Sequence, residues 1–131
     1  VKVVLDTNVL VSGLLNPNGP PGTILNLTLH GRLTPHYDHR ILVEYQNVLH
    51  RKKFGFSKEL VQDILDYIQL KGVPVSSIPI QEPFSDEADK KFLEVARGGE
   101  VRFLITGNIK DFPENEARVV SPKDFLNHIQ K

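Results

Sequence analysis

The chain has no cysteine, which excludes a disulfide framework and any zinc–thiolate site. That suits a reducing compartment, and the cytoplasm is the expected location. Methionine is absent too, the initiator included, as expected of a start that has been processed or lies upstream. Neither sign of charge is in excess, since Lys+Arg and Asp+Glu both number 16. This argues against a coat-like nucleic-acid binder, whose affinity comes from bulk phosphate neutralisation; a local basic rim is still compatible with it. No apolar run approaches the ~18 residues that span a bilayer. Val1–Leu5 is too short for the core of a signal peptide and runs directly into a polar turn. No membrane association is expected. Repeats, low-complexity tracts, internal linkers and glycine-rich nucleotide loops are missing as well.

What is there is an ordinary globular composition, 40% hydrophobic and 24% charged over 131 residues, enough for one domain (1–131) with a real core. Val1–Leu5 reads as a buried strand ending at Asp6-Thr7-Asn8, which are helix-capping types. Residues 16–22, Asn-Pro-Asn-Gly-Pro-Pro-Gly, read as a loop, and Ile24–His30 as a helix stopped by Gly31. Leu33-Thr34-Pro35 is a weak second strand. Asp38 is the expected cap of a helix running to about Lys53, with Ile41, Leu42, Tyr45, Val48 and Leu49 at helical spacing. Ser57 caps the next helix, which ends at Gly72, and Val73-Pro74-Val75 is a short extended piece. Ser85-Asp86-Glu87 opens a helix that ends at Gly98-Gly99, Val101–Ile105 and Val119-Val120 are strands, and Ser121-Pro122 starts the last helix. Strands alternating with helices predict an α/β fold, a parallel sheet covered by helices on both faces.

In such sheets ligands bind beyond the carboxyl ends of the strands. Asp6 stands there after the first strand, and Thr106-Gly107-Asn108, with Asp111 beyond, stands there after the strand ending at Ile105. Two further acids can approach from helices: Glu44, set among Ile41, Leu42, Val43 and Tyr45, and Asp89, just ahead of Phe92-Leu93. Carboxylates brought together repel unless a cation neutralises them. All-oxygen ligands select Mg²⁺ or Mn²⁺, and such ions suit phosphodiester hydrolysis. Each acid also has an ordinary reading. Asp6 could cap the following helix, Glu44 could be a solvated helix residue, and Asp86, Glu87 and Asp89 could compensate a helix dipole.

Taken together, the segments resemble the motifs of PIN-domain nucleases, in order and over nearly the whole chain. Val3-Val4-Leu5-Asp6-Thr7-Asn8-Val9-Leu10 is similar to the family's opening signature. Glu44 in Leu42-Val43-Glu44-Tyr45 and Asp89 in Asp89-Lys90-Lys91-Phe92-Leu93 resemble its second and third acids. Phe103-Leu104-Ile105-Thr106-Gly107-Asn108 with Asp111-Phe112 resembles its last motif. The resemblance implies a three-layer α/β/α sandwich and Mg²⁺- or Mn²⁺-dependent ribonuclease activity. Small proteins of this kind resemble the VapC-like toxins of bacterial and archaeal toxin–antitoxin pairs, which are commonly dimers inhibited by an antitoxin protein.

On that resemblance Asp6, Glu44 and Asp89 are the expected catalytic and metal-holding residues, with Asn8 and Thr106 supporting them by hydrogen bonds. The chain departs from the family at Asn108, where the pattern has Asp. Asn108 can still offer a carbonyl oxygen to the ion, and either Asp111 supplies the missing charge or the site works with three acids; the ordinary readings are a positive-φ turn at Gly107-Asn108 and a solvated loop acid. RNA would be held by the basic run Arg51-Lys52-Lys53, expected on the helix that carries Arg40, and by Lys110. That run could equally compensate a helix end. His36 and His39 have the spacing of a metal pair but no further partners, and read as loop histidines.

Asp6-Thr7-Asn8-Val9 is also similar to the opening of haloacid-dehalogenase phosphatases, but those require Asp where Asn8 stands. A phosphate-accepting receiver domain would need paired acids after the first strand, which are absent. The serious alternative is a catalytically weak PIN-like module that binds RNA or a protein partner, and Asn108 is its support.

Overall fold

The computed structural model describes residues 1–130; Lys131, the last residue of the expected domain, lies outside the described residues. Its strands are β1 (Lys2–Leu5), β2 (Thr34–Tyr37), β3 (Val73–Pro74), β4 (Phe103–Ile105) and β5 (Val119–Val120). The helices are α1 (Thr7–Leu15), α2 (Pro20–Leu29), α3 (His39–Leu49), α4 (Lys58–Lys71), α5 (Lys90–Gly98) and α6 (Pro122–Ile129). Short 3₁₀ turns lie at Lys52–Phe54, Glu87–Asp89 and Ile109–Asp111.

All pairings are parallel, in the order β3-β2-β1-β4-β5. Helices cover the sheet to give the expected α/β/α sandwich, with α5 packed against β1, β2 and β4. Val3, Val4 and Leu5 of the central strand and Leu104 and Ile105 of its neighbour are fully buried. Burial on both faces is why these strands read as unbroken apolar runs rather than alternating ones. The edge strands β3 and β5 have two residues each, too short to template pairing with another chain, and Pro74 is tolerated at such an edge. The chain winds outward from β1 through β2 to β3, then crosses back to β4 on the other side. The order therefore reverses between β1 and β4, where an open sheet leaves a crevice at its carboxyl edge.

Helix starts follow the sequence closely. Asp38, Ser57 and Ser121 each accept a hydrogen bond from the backbone N–H three residues on, at 3.1, 3.0 and 3.1 Å. Four expectations need correction. First, α2 begins at Pro20, inside the stretch read as a loop. Pro20 and Pro21 occupy first-turn positions where no N–H is required. Gly22 passes so close to Pro17 that an added Cβ would lie 2.2 Å from its carbonyl oxygen, so both breakers serve a tight helix start. Second, α3 stops at Leu49 rather than near Lys53, and the basic run lies on a separate 3₁₀ turn capped by Gly55 at φ 69°. Third, the helix expected from Ser85 is divided: Asp86 caps the Glu87–Asp89 turn through Ala88 N–H at 2.9 Å, and α5 begins at Lys90. Fourth, His36 is a buried residue of β2 bonded to the Thr34 carbonyl, and His39 is the first residue of α3, so neither is a loop histidine. Among the described residues no helix is long and apolar enough to cross a membrane.

Candidate active site

Asp6 ends β1 at the point where the strand order reverses, and its N–H continues the ladder to the Ile105 carbonyl at 3.0 Å. It occupies the N-cap position of α1 yet makes no side-chain capping bond. Its carboxylate instead accepts from the Thr106 hydroxyl at 2.8 Å and, more weakly, from the Asn8 amide at 3.4 Å. Thr106, rather than a capping bond to α1, is therefore the principal partner of the Asp6 carboxylate. Thr106 is fully buried and accepts in turn from Asn108 N–H at 3.0 Å. The Asn8 carbonyl oxygen takes Gly107 N–H at 3.1 Å. The residues following β1 and β4 are thus stitched together through Asn8 and Thr106. Burial raises the Asp6 carboxyl above its ordinary range. The Thr106 hydroxyl and the Asn8 N–H pull it back, and the Glu44 charge pushes it up again.

Glu44 approaches from α3. Its neighbour Tyr45 is buried, and the Tyr45 hydroxyl donates to the Leu5 carbonyl at 2.5 Å, fastening α3 to the end of β1. Burial raises the Tyr45 phenol well above its usual range, so it remains a neutral donor. One Glu44 oxygen accepts from the Thr7 hydroxyl. The other pairs with the Lys91 ammonium at 2.7 Å.

Asp89 stands at the N-cap of α5 without a capping bond, and among the described residues no group donates to its carboxylate. Its carboxyl is raised to about 6, by burial first and then by the charges of Asp6, Asp86, Asp111 and Glu44. Those carboxylates therefore share one electrostatic neighbourhood, which brings the three acids expected from the sequence, and Asp111, to the same crevice. Asp111 is half-buried in the Ile109–Asp111 turn. Asn108 leads into that turn with φ −122° and no side-chain capping bond. The left-handed turn expected at Gly107-Asn108 is absent, because positive φ occurs elsewhere, at Gly31, Gly55 and Glu100.

The donor set is made wholly of oxygens and carries excess negative charge, which fits a hard divalent cation in kind. Among the described residues no side chain or backbone group donates to the Asp89 carboxylate. Among the described residues, however, no three His, Asp or Glu side chains are drawn close enough together to enclose an ion. Glu44 spends both oxygens on Thr7 and Lys91.

Arg51 lines an open groove of about 670 Å³ beside Glu44, together with Arg40 and Lys91. Lys52, Lys53 and Lys110 are exposed on their 3₁₀ turns; the Lys53 ammonium lies 5.1 Å from the centre of the Phe54 ring. Arg40 bridges Asp38 at 2.7 Å and the buried Glu94 at 2.8 Å. Glu94 also accepts Ile80 N–H at 2.8 Å, which ties down the connection ahead of Asp89. Sequence reading missed Thr7, Lys91 and Glu94. The only available signal was proximity, Thr7 beside Asp6 and Lys91 two residues past Asp89, and proximity does not reveal a partner 37 residues or more away.

Comparison with known proteins agrees with this arrangement. A family model described as PIN domain matches residues 2–110, from β1 to the turn that follows β4. An uncharacterised protein of Methanocaldococcus jannaschii is 31% identical in an alignment covering 100% of this chain and 93% of that protein. The family match contains Asp6, Glu44, Asp89 and Asn108 and stops one residue short of Asp111: the chain belongs to the PIN-domain family.

Proposed function

We propose that this chain is a divalent-metal-dependent ribonuclease, built as one domain over residues 1–131. The observation that carries the reading is that the Asp6 carboxylate is held by Thr106, at the sheet's switch point, and not by a capping bond to α1. A cap has no use for a carboxylate held in this way, whereas a cation site does. Asp6 and Asp89 would hold Mg²⁺ or Mn²⁺, Glu44 would complete the site or support it, and Asn108 or Asp111 would take the fourth position. Asn8 and Thr106 orient Asp6.

When bound, the ion would supply positive charge beside the scissile phosphate and lower the cost of making hydroxide. The chain's own part is positional. Thr106 aims Asp6, Thr7 holds Glu44, and a carboxylate of the site would help take the proton of the attacking water. Attack by water leaves 5′-phosphate and 3′-hydroxyl ends. Arg51, Lys52, Lys53 and Lys110 would hold the RNA backbone as local phosphate contacts. By likeness to the VapC-like toxins we further propose a cytoplasmic homodimer, the toxin of a toxin–antitoxin pair, silenced by an antitoxin protein.

The test is cleavage of a mixed RNA pool with Mn²⁺, with EDTA, and by an Asp6→Asn variant purified identically. Metal-dependent cleavage that disappears in the variant is the expected result. A 2′,3′-cyclic phosphate product would overturn the mechanism, since it reports attack by the ribose hydroxyl. The second reading, a catalytically weak module that binds RNA or a protein, is favoured by the uncharged Asn108. It predicts no cleavage and no thermal stabilisation by Mn²⁺ relative to EDTA.

A further inference from the structure

We propose that Lys91 is a built-in counter-cation of Glu44 that competes with the divalent ion for this carboxylate and so sets how readily the site loads. The inference rests on the metal-dependent reading above. Lys91 lies in the first turn of α5, and its ammonium is 2.7 Å from Glu44 Oε1. It is no mobile surface lysine. Its side chain is only 13% exposed, and the ammonium also donates to the Ala88 carbonyl and lies 5.1 Å from the centre of the Phe92 ring. The other Glu44 oxygen accepts from Thr7. Among the described ion pairs none involves Asp6 or Asp89, so compensation is selective for one acid of the three.

The physical consequence has a definite sign. An ion drawn in by Asp6 and Asp89 must break or share the Lys91 pair before Glu44 can turn to it. The resident ammonium also repels an incoming dication directly. Both effects lower metal affinity. In return, the pair spares the metal-free protein one more unscreened carboxylate in an already crowded crevice. Lys90 is the natural control. It adjoins Lys91 in sequence, but its ammonium pairs with the exposed Glu87 at 3.1 Å.

The experiment measures Mn²⁺ binding to the intact protein by titration calorimetry and by the paramagnetic resonance of free Mn²⁺, without RNA. Lys91→Met should bind Mn²⁺ roughly tenfold tighter than the unaltered chain, the size of a typical coupling between two cation sites. Lys91→Gln keeps donors for Glu44 and Ala88 and removes only the charge, so it should tighten binding too and guards against misfolding of the Met variant. Lys90→Met should change affinity by less than about twofold, because its ammonium answers Glu87 and not one of the three acids. In a Glu44→Gln background, Lys91→Met should tighten binding by clearly less, because the competition is gone and only the direct repulsion is relieved. Equal or weaker binding by both Lys91 variants, with Mn²⁺ binding still lost in Asp89→Asn, overturns the role of Lys91 alone. No saturable binding by the unaltered chain overturns the metal reading, and this inference with it.

Discussion

The two halves of the crevice hold their acids in opposite ways. On the strand side, Asp6 is buried but bonded, to Thr106 and Asn8, on residues that extend the β1–β4 ladder. On the helix side, Asp89 is half-buried, lacks a donor among the described residues, and is surrounded by like charge. The contrast teaches that one half is organised by hydrogen bonds while the other holds its charge among like charges with no described donor. Glu44 lies between these extremes, satisfied by a hydroxyl and by a lysine rather than by backbone.

The largest expected effect comes from breaking the organised half at its charge. Asp6→Asn keeps the shape and a hydrogen-bond acceptor, and should cut RNA cleavage by about 10³-fold or more, roughly 4 kcal/mol of transition-state stabilisation. Single-turnover cleavage beside an unchanged circular-dichroism spectrum checks this. Thr106→Val leaves Asp6 buried without its principal donor and should cost about 1–3 kcal/mol of stability, read from urea unfolding. If Thr106→Val were neutral, the strand side would not be the rigid half.

The helix side should respond with the opposite sign. The Asp89 carboxyl is raised from 3.8 to about 6 in the folded chain, so between those values the folded state binds more protons than the unfolded one. Metal-free stability then falls as pH rises through that window and levels above it. Asp89→Asn should remove the fall and stabilise the metal-free protein at pH 7 by about 1 kcal/mol after allowance for solvent screening. At a pH below the window the gain should vanish, and with Mn²⁺ present the order should invert, because the unaltered chain alone gains full metal linkage. Thermal melts over pH 3.5–7.5 with EDTA or Mn²⁺ decide it. The smallest effect should come from outside the crevice. Lys52→Ala with Lys53→Ala should weaken RNA binding about equally for all sequences and lower the salt slope by roughly 1–2, measured by titration at several salt concentrations.

Much of this was legible in the residues. Unbroken apolar runs such as Val3-Val4-Leu5 betray a strand buried on both faces, and Asp38, Ser57 and Ser121 mark helix starts through chemistry confined to one turn. Asp6 and Thr106 were legible as candidates for a site because each directly follows a strand, where a parallel sheet exposes its edge. Less legible were features governed by competition between local signals. Pro20-Pro21-Gly22 reads as a breaker cluster but serves as a helix start, because the needs of a first turn coincide with what proline lacks. The helical spacing of α3 gave no reason to stop at Leu49, and Gly55, the residue that closes the following turn, lies six positions beyond.

By itself the sequence determined which residues can carry charge to the sheet's edge and which family the chain resembles. Both depend on residue type and local order. Only the tertiary structure decided how those charges are answered: Asp6 by Thr106, one hundred residues away, Glu44 by Thr7 and Lys91, and Asp89 by no described group. Such pairings cost nothing to write in one dimension and are selected only when packing excludes water and leaves each carboxylate to find a donor or do without.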